Sequence, residues 1–278
     1  MSLLPTARSL LFVPGARPDR FGKAAATEAD TVCIDLEDAV APKDKDRARQ
    51  ATLDWLADQD DPRLGLRVNQ VGTEAGAADL DALKGARGVG FVMVPKPMST
   101  DDLDRVADAY GRPGLVPVME SARAILCAEA IADHDAVAAG VYGAIDLSAD
   151  IGCELAWEPH LHARSRCALA FGAARKTLFD VPYLDVDDPE GLRAETLRSK
   201  ALGIPARAAI HPAQLGPIHE ALSPTDEEIA HARRVVDAFE AAEDGLALLD
   251  GKLIELPVVK GARRVLALGA RGGTVTER

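Results

Sequence analysis

Short apolar runs alternate with longer amphipathic segments along most of this 278-residue chain. The apolar runs have the length of strands, and the segments between them carry Ala, Leu, Arg and Glu at helical spacing. This alternation is typical of a parallel sheet whose strands are joined by helices. It predicts eight strands, at residues 9–13, 31–36, 64–68, 89–94, 115–119, 136–142, 181–184 and 206–210. It also predicts helices at 44–57, 101–109, 122–132, 161–178 and 189–202.

Eight such units that close on themselves form a (β/α)₈ TIM barrel, which we predict for residues 7–222. A doubly wound open sheet is the alternative. The predicted seventh strand contains Pro182, which removes a ladder donor unless it lies at the strand start. Residues 223–270 are predicted to form a C-terminal helical extension, with a helix at 226–249, a turn at 250–251 and a helix at 258–268. Residues 271–278 are predicted to be a flexible tail.

Composition narrows the classes of function. The chain has 32 basic and 44 acidic residues and a net charge of -12, which argues against a nucleic-acid partner. Its four cysteines have no C-x-x-C spacing, which argues against a disulfide framework or zinc site and fits a cytoplasmic protein. No apolar run approaches the roughly 20 residues of a membrane span, and the first residues lack the regions of a signal peptide. We therefore expect neither nucleic acid nor membrane as a partner.

Two successive strands end in carboxylates, Glu120 and Asp146. The carboxyl ends of barrel strands form one face, so these two acids can converge on a cation that prefers oxygen ligands. Two carboxylates would leave most positions of an octahedral Mg²⁺ to water and substrate. The competing interpretation is a pair of surface or helix-capping acids.

Arg67 ends the third strand, beside three acids that follow the second strand. A guanidinium there could bind a substrate carboxylate through two parallel hydrogen bonds, which lysine cannot reproduce. The alternative is a structural ion pair with Asp35, Glu37 or Asp38. The two roles are compatible, because these acids could orient Arg67 or metal-bound water as an outer layer of the site.

Two further features admit either a functional or an ordinary structural interpretation. Arg17, Arg20 and Lys23, together with Lys96 after the fourth strand, form a basic patch suited to a phosphate or thioester carrier, or simply a solvated helix start. His211 could be a general base or could hydrogen-bond the loop backbone.

Several segments together resemble the citrate lyase beta-subunit-like group of magnesium-dependent aldolases and lyases. The matching segments are RSLLFVPG (8–15), DLEDAV (35–40) with Lys45 and Ala48-Arg49 downstream, RVN (67–69), ESA (120–122), GAIDLSADIG (143–152) and IHPAQ (210–214). They occur in consistent order between residues 7 and about 270, which makes the resemblance specific for the family and much less specific for the substrate.

The resemblance implies a homotrimeric or hexameric barrel that cleaves or forms a carbon–carbon bond in citryl-, malyl- or citramalyl-CoA, releasing acetyl-CoA and a 2-oxo acid. Glu120 and Asp146 would bind Mg²⁺ and substrate, and Arg67 would hold the carboxylate of the 2-oxo acid. Glu37 and Asp38 would support them as the outer layer.

Two segments depart from the family pattern. The family places an aspartate in a Met-Ile-Asp-x-Pro segment supplied by the next subunit, where this chain has Glu255 within LIELP (253–257). Glutamate keeps the carboxylate but moves it by one methylene, and a displacement of ~1 Å can cost on the order of 100-fold in rate. Glu255 is then a catalytic acid/base in an altered pocket, or it has lost that role. GIPAR (203–207) departs from the usual glycine- and lysine-rich approach to Ile-His-Pro, where thioester-carrier contacts are expected.

Three rival functions remain open at this point. The chain could be the beta subunit of a citrate lyase complex with alpha and gamma partner chains, acting on a carrier-protein thioester. It could be an aldolase for free 2-oxo acids, which would need no thioester. It could also be a catalytically idle binding subunit that retained the barrel.

Overall fold

The computed structural model describes residues 4–242 and 246–272, which form two compact units divided in sequence between His219 and Glu220. In the first unit, eight parallel strands close into a barrel, because β1 pairs with both β2 and β8. The strands are β1 (Ser9–Pro14), β2 (Thr31–Asp35), β3 (Leu64–Arg67), β4 (Phe91–Val94), β5 (Leu115–Met119), β6 (Ala139–Tyr142), β7 (Thr177–Asp180) and β8 (Ala206–Ala209). The predicted (β/α)₈ fold is confirmed, and the open sheet is wrong.

Helices and short 3₁₀ turns connect the strands. The helices up to the end of the first unit are α1 (Phe21–Ala25), α2 (Lys45–Ala57), α3 (Glu74–Leu83), α4 (Thr100–Tyr110), α5 (Ala122–Leu126), α6 (Ala128–Asp133), α7 (Ala144–Ile151), α8 (Trp157–Ala173), α9 (Pro189–Ala201) and α10 (Leu215–Leu222), the last of which spans the division between the units. The 3₁₀ turns are Leu4–Thr6, Pro18–Arg20, Pro42–Asp44 and Pro212–Gln214.

The strands are hydrophobic on both faces, because helices cover the outside of the barrel and side chains fill its interior. Every residue of β2 to β8 is buried. The core includes Leu10, Cys33, Phe91, Met93, Val116, Val118, Ala139, Val141, Phe179, Ala206 and Ala208. With the interior packed, the space available for ligands lies where the strands end.

The seventh strand precedes its predicted position. The sequence predicted a helix to residue 178 and a strand at 181–184, whereas α8 ends at Ala173 and β7 is Thr177–Asp180. Arg175 adopts a left-handed backbone conformation with φ of 56°, which breaks the helix before the strand. β7 pairs with β6 through Thr177 to Phe179 and with β8 through Phe179 and Asp180, so Pro182 lies beyond the paired residues. The other seven strands agree with their predicted bounds to within three residues.

The second unit contains a hairpin that the sequence did not predict. The helix predicted at 226–249 ends at residue 240 as α11 (Asp226–Glu240), and β9 (Ala247–Leu249) pairs with β10 (Lys252–Ile254). Asp250 and Gly251 both have positive φ, which suits a two-residue hairpin turn. The final helix, α12 (Leu256–Gly272), includes the first two residues of the predicted tail, and residues 273–278 lie outside the described part.

The second unit has its own apolar core, formed by Ala232, Val235, Ile254, Val259 and Ala262. None of the helices in the described residues is both long and apolar enough to cross a membrane.

Candidate active site at the carboxyl ends of the strands

The last residues of β2 and β3 form a buried ion pair. Asp35 and Arg67 are register partners, and Arg67 Nε and Nη2 each donate to one carboxylate oxygen of Asp35 at 2.7 Å. Arg67 Nη1 lies 2.7 Å from Glu37 Oε2 without hydrogen-bond alignment, and 3.6 Å from the exposed Asp38. The predicted structural ion pair is therefore present. Because a guanidinium has five N–H donors, Arg67 keeps N–H groups that these contacts do not use and that can bind a ligand carboxylate.

The acidic loop after β2 is fixed by its own backbone and by Lys45. Asp35 accepts hydrogen bonds from the main-chain N–H groups of Glu37 and Ala39. Lys45 Nζ donates to the carbonyl oxygens of Leu36 and Glu37, at 2.8 and 2.5 Å. Glu37 is consequently held beside Arg67, and burial raises the pKa of its carboxyl despite the nearby guanidinium.

Lys96 connects Glu120 to Asp146. Its main-chain N–H donates to Glu120 Oε1 at 3.1 Å, and its Nζ lies 2.9 Å from Asp146 Oδ1 and 3.3 Å from Glu37 Oε1. Burial alone would lower the pKa of Lys96, but the hydrogen bond to Asp146 and the charges of Glu37 and Glu120 raise it. The ammonium therefore neutralises acids that come from different strands.

Glu120 is the most deeply buried acid facing Lys96, at 3% exposure. Burial first, and then repulsion from Glu37, raises the pKa of Glu120 to about 8. Gly143 packs directly on this side chain, since a Cβ at that position would lie 2.5 Å from Glu120 Cβ. The buried carboxylate is thus confined on one side by the loop that leads to Asp146.

Helix α7, which carries Asp146, is anchored at two points. Ala122 N donates to Asp150 Oδ2 at 2.7 Å, which ties α7 to the loop after Glu120. Ser148 Oγ lies 2.8 Å from His160 Nε2, and His160 Nδ1 lies 2.6 Å from the Tyr142 hydroxyl. Burial, followed by the charge of Arg164, lowers the pKa of His160, which suits a neutral ring that links the two hydroxyls.

Six residues make up what we call the acid–cation cluster: Asp35, Glu37, Arg67, Lys96, Glu120 and Asp146. Four carboxylates face two cations, so the cluster carries a formal charge of about -2 when all groups are ionised. Asp38 and Lys45 border it with opposite charges and leave that balance unchanged.

The cluster fits a divalent cation by charge and donor type. Its surplus equals the charge of Mg²⁺, and carboxylate oxygens are the ligands that this ion prefers. Among residues 4–242 and 246–272, no three acidic, His or Cys side chains enclose a metal on their own. Glu120 and Asp146 would therefore hold it as a pair, with water and substrate completing the coordination.

A cavity of about 260 Å³ opens above the barrel core. Arg67, Glu120 and Asp146 all line it, as do Asp35 and Asp38, with Phe12, Val118, Val141 and Ile210 as apolar walls. The structure thus brings the predicted metal and substrate residues to one concave, water-accessible site.

Other predicted residues lie apart from these contacts. His211 Nδ1 accepts a hydrogen bond from Ala213 N, which is the loop-backbone role. In the basic loop, Arg17 pairs with Asp19 on the exposed surface. Glu255 is an exposed residue of the second unit, between β10 and α12, and its carbonyl accepts from Val258 N and Val259 N.

Sequence reasoning missed three contributors to the site. Lys96 was assigned only to a basic patch, although its place between two prolines at a strand end indicates a constrained loop. Asp79, buried in α3, accepts from Asn69 N, Asn69 Nδ2 and Arg49 Nε and so fixes the segment after Arg67. His160 gave no signal, because its partners come from separate elements.

A closed parallel barrel whose strand ends gather carboxylates and cations around one cavity defines a TIM-barrel enzyme. The sequence model of the HpcH/HpaI aldolase/citrate lyase family matches residues 8–212. The chain belongs to this family. The predicted family, fold class and enzyme class, a lyase, are thereby confirmed.

Three relatives cover nearly the whole chain. The (3S)-malyl-CoA thioesterase of Cereibacter sphaeroides is 36% identical over 269 residues, or 94% of this chain and 93% of the relative. The citrate lyase subunit beta-like protein of Mycobacterium tuberculosis is 35% identical over 273 residues, or 96% and 97%. A solved structure of CitE from Mycobacterium tuberculosis, in complex with magnesium, acetoacetate and coenzyme A, matches with a TM-score of 0.84 at 35% identity. It covers 96% of this chain and 100% of that chain.

Proposed function

We propose that the chain is a Mg²⁺-dependent carbon–carbon lyase that acts on 3-hydroxyacyl-CoA thioesters of the citryl-, malyl- or citramalyl-CoA type. The observation that carries this proposal is the convergence of Glu120, Asp146 and Arg67 on one cavity. The relatives support it, since one is named for malyl-CoA and another was crystallised with magnesium and coenzyme A.

Each residue has a role that follows from its position. Glu120 and Asp146 would hold the cation, which would supply Lewis-acid polarisation of an oxygen of the 2-oxo acid fragment. Arg67, immobilised by Asp35, directs its remaining N–H groups to the carboxylate of that fragment. A base removes the proton of the 3-hydroxyl group, the carbon–carbon bond breaks, and its electron pair passes to the acetyl thioester as an enolate. Protonation of the enolate carbon then gives acetyl-CoA.

We assign the acid/base role to Glu255 of a neighbouring copy in a homotrimer or hexamer. Leu253, Leu256 and Val258 beside it are each about half exposed, and Leu248, the cross-strand partner of Leu253, is 74% exposed. Apolar side chains grouped around an exposed carboxylate suit burial against another subunit. The free cysteines at all four positions suit a cytoplasmic oligomer.

A turnover screen with malyl-, citramalyl- and citryl-CoA, with and without Mg²⁺, tests the proposal. Asp146→Asn should abolish Mg²⁺-dependent release of acetyl-CoA while circular dichroism stays unchanged. Asp54→Asn is the matched control, because Asp54 is an exposed acid on α2 whose carboxylate accepts a hydrogen bond from Gln50 Nε2. Wild-type turnover in Asp146→Asn would refute the metal assignment.

The same screen separates the rivals. Turnover only with a carrier-protein thioester and copurifying chains would indicate a citrate lyase subunit. Turnover of free 2-oxo acids would indicate an aldolase. Binding of Mg²⁺ and oxaloacetate without turnover of any substrate would indicate an idle subunit.

A further inference from the structure

Lys96 has an unusual backbone conformation for its residue type. Its φ is 45°, in the left-handed region that few residues other than glycine adopt, and it lies between Pro95 and Pro97. This conformation lets the main-chain N–H reach Glu120 while the side chain reaches Asp146 and Glu37. Strained backbone conformations of this kind persist where surrounding contacts hold them, often at functional sites. We therefore infer that the segment around Lys96 holds its side chain in position.

The Lys96 ammonium contacts Asp146, one of the two carboxylates that we propose as metal ligands. Nζ is 2.9 Å from Asp146 Oδ1, and both side chains are partly exposed, at 25% for Lys96 and 35% for Asp146. A lysine ammonium is a compact charge on a flexible four-carbon stem, so it can withdraw without a change in the backbone. The ion pair is thus accessible and reversible.

One charge cannot balance the acids that Lys96 faces. With Lys96 in place, the acid–cation cluster keeps a formal surplus of about -2 when all its groups are ionised, and of about -1 when Glu120 is protonated. A divalent ion between Glu120 and Asp146 would remove that surplus, but it would repel an ammonium at Asp146, since like charges disfavour each other at contact distance. The two cations therefore compete for the same carboxylate group.

We propose that Lys96 and Mg²⁺ compete for Asp146, so that metal binding displaces the ammonium and Lys96 sets the affinity of the site for its metal. This inference rests on the proposed function, because it takes Asp146 as a metal ligand. In the metal-free protein, the Lys96 ammonium stabilises the acids. Because the metal must break the ion pair between Lys96 and Asp146 in order to bind, the lysine lowers metal affinity by the free energy of that ion pair.

Competition between Lys96 and the metal has two linked consequences, one for protein stability and one for metal affinity. Removal of the ammonium leaves the acids to repel one another, so the metal-free protein becomes less stable. The metal then recovers more free energy on binding and binds more tightly. A lysine that merely supported the loop would have the opposite effect, because its loss would weaken metal binding.

The test is a calorimetric titration of metal-free protein with magnesium chloride, together with thermal unfolding with and without the ion. Lys96→Met should bind Mg²⁺ about tenfold more tightly than wild type. Its metal-free Tm should fall by about 2–4 °C, and this difference should shrink in saturating Mg²⁺. Lys84→Met is the matched control, because Lys84 pairs with Asp81 on the exposed surface. Lys84→Met should change neither the Mg²⁺ affinity nor the metal-free Tm.

The remaining outcomes separate this inference from the proposed function. If Lys96→Met binds Mg²⁺ as tightly as wild type or more weakly, the competition is wrong and the metal site still stands. Should Lys96→Met fail to fold, the polar variant Lys96→Gln provides the same test. Absence of Mg²⁺ binding in wild type, or undiminished binding by Asp146→Asn, would overturn the metal assignment and the competition with it.

Discussion

Arg67 illustrates how one residue serves both the barrel and the site. Its guanidinium joins the ends of β2 and β3 through Asp35, and it also lines the cavity. Phe12 lies beneath it, with 5.4 Å between the guanidinium carbon and the ring centroid. Because the pair is buried, loss of its geometry affects stability as well as ligand binding.

Arg67→Lys keeps the charge but removes the two parallel hydrogen bonds. We expect the free energy of unfolding to fall by about 1–3 kcal/mol, measured by chemical denaturation. We also expect kcat/KM for thioester cleavage to fall about 100-fold, because the fragment carboxylate loses its bidentate donor. Arg63→Lys, at the opposite end of β3 and paired with Asp61, should leave kcat/KM unchanged. Equal losses in both variants would contradict a role for Arg67 in the site.

The sequence was sufficient to locate the acids and Arg67, but not Lys96, the second cation that balances the acids. Glu120, Asp146 and Arg67 follow strands, and the topology of a parallel barrel brings strand ends together whatever the details of packing. Lys96 also follows a strand, but the direction of its side chain depends on a left-handed φ that no local pattern signals. Its partners lie on three other strand ends, so only the folded chain shows them.

At the scale of elements, α7 is a short helix that must hold Asp146 steady. Ser148 lies on the same helix, and His160 joins it to Tyr142 at the end of β6. The His160 ring therefore fixes the middle of α7 relative to β6, the strand that precedes the helix. Outer partners of metal ligands commonly set the affinity of the site.

Ser148→Ala removes the link between α7 and His160. We expect the free energy of unfolding to fall by about 1 kcal/mol and Mg²⁺ affinity to fall about tenfold in a calorimetric titration. Thr196→Ala is the control, since the Thr196 hydroxyl in α9 donates to the Leu192 carbonyl four residues earlier, just as the Ser148 hydroxyl donates to the Ala144 carbonyl. It should reduce stability and leave Mg²⁺ affinity intact. A loss of stability alone in Ser148→Ala would show that the link is only structural.

The bounds of seven of the eight barrel strands were predicted to within three residues. The errors at β7 and at the β9–β10 hairpin share a cause, because apolar runs near a helix end suit either a continued helix or a strand. At β7, Arg175 ends the preceding helix with a left-handed backbone although it is not glycine, and β7 is stabilised by pairing with β6 and β8, which are distant in sequence and absent from any local pattern. At the hairpin, the turn at 250–251 was predicted and the pairing is local, since Leu249 faces Lys252. The error there was to continue the preceding helix through β9.

For the whole molecule, the proposed role of Glu255 makes the active site a property of the oligomer. If one copy provides Asp146 and another provides Glu255, two inactive variants can complement each other. Asp146→Asn and Glu255→Ala, coexpressed with different affinity tags and purified through both, should regain about a third of wild-type activity in a trimer and about a quarter in a hexamer by random pairing. Two Asp146→Asn copies with different tags form the control and should stay inactive. Failure of the mixed oligomer, with both parents inactive alone, would contradict a shared site.

The surplus negative charge of the acid–cation cluster also bears on the order in which ligands arrive. Under the proposed function, the substrate carboxylate is a further anion that enters a cavity already lined by acids, and low-dielectric walls strengthen the repulsion between them. We therefore expect the divalent ion to bind first and the oxyacid second. Raising the substrate concentration should then not replace the ion.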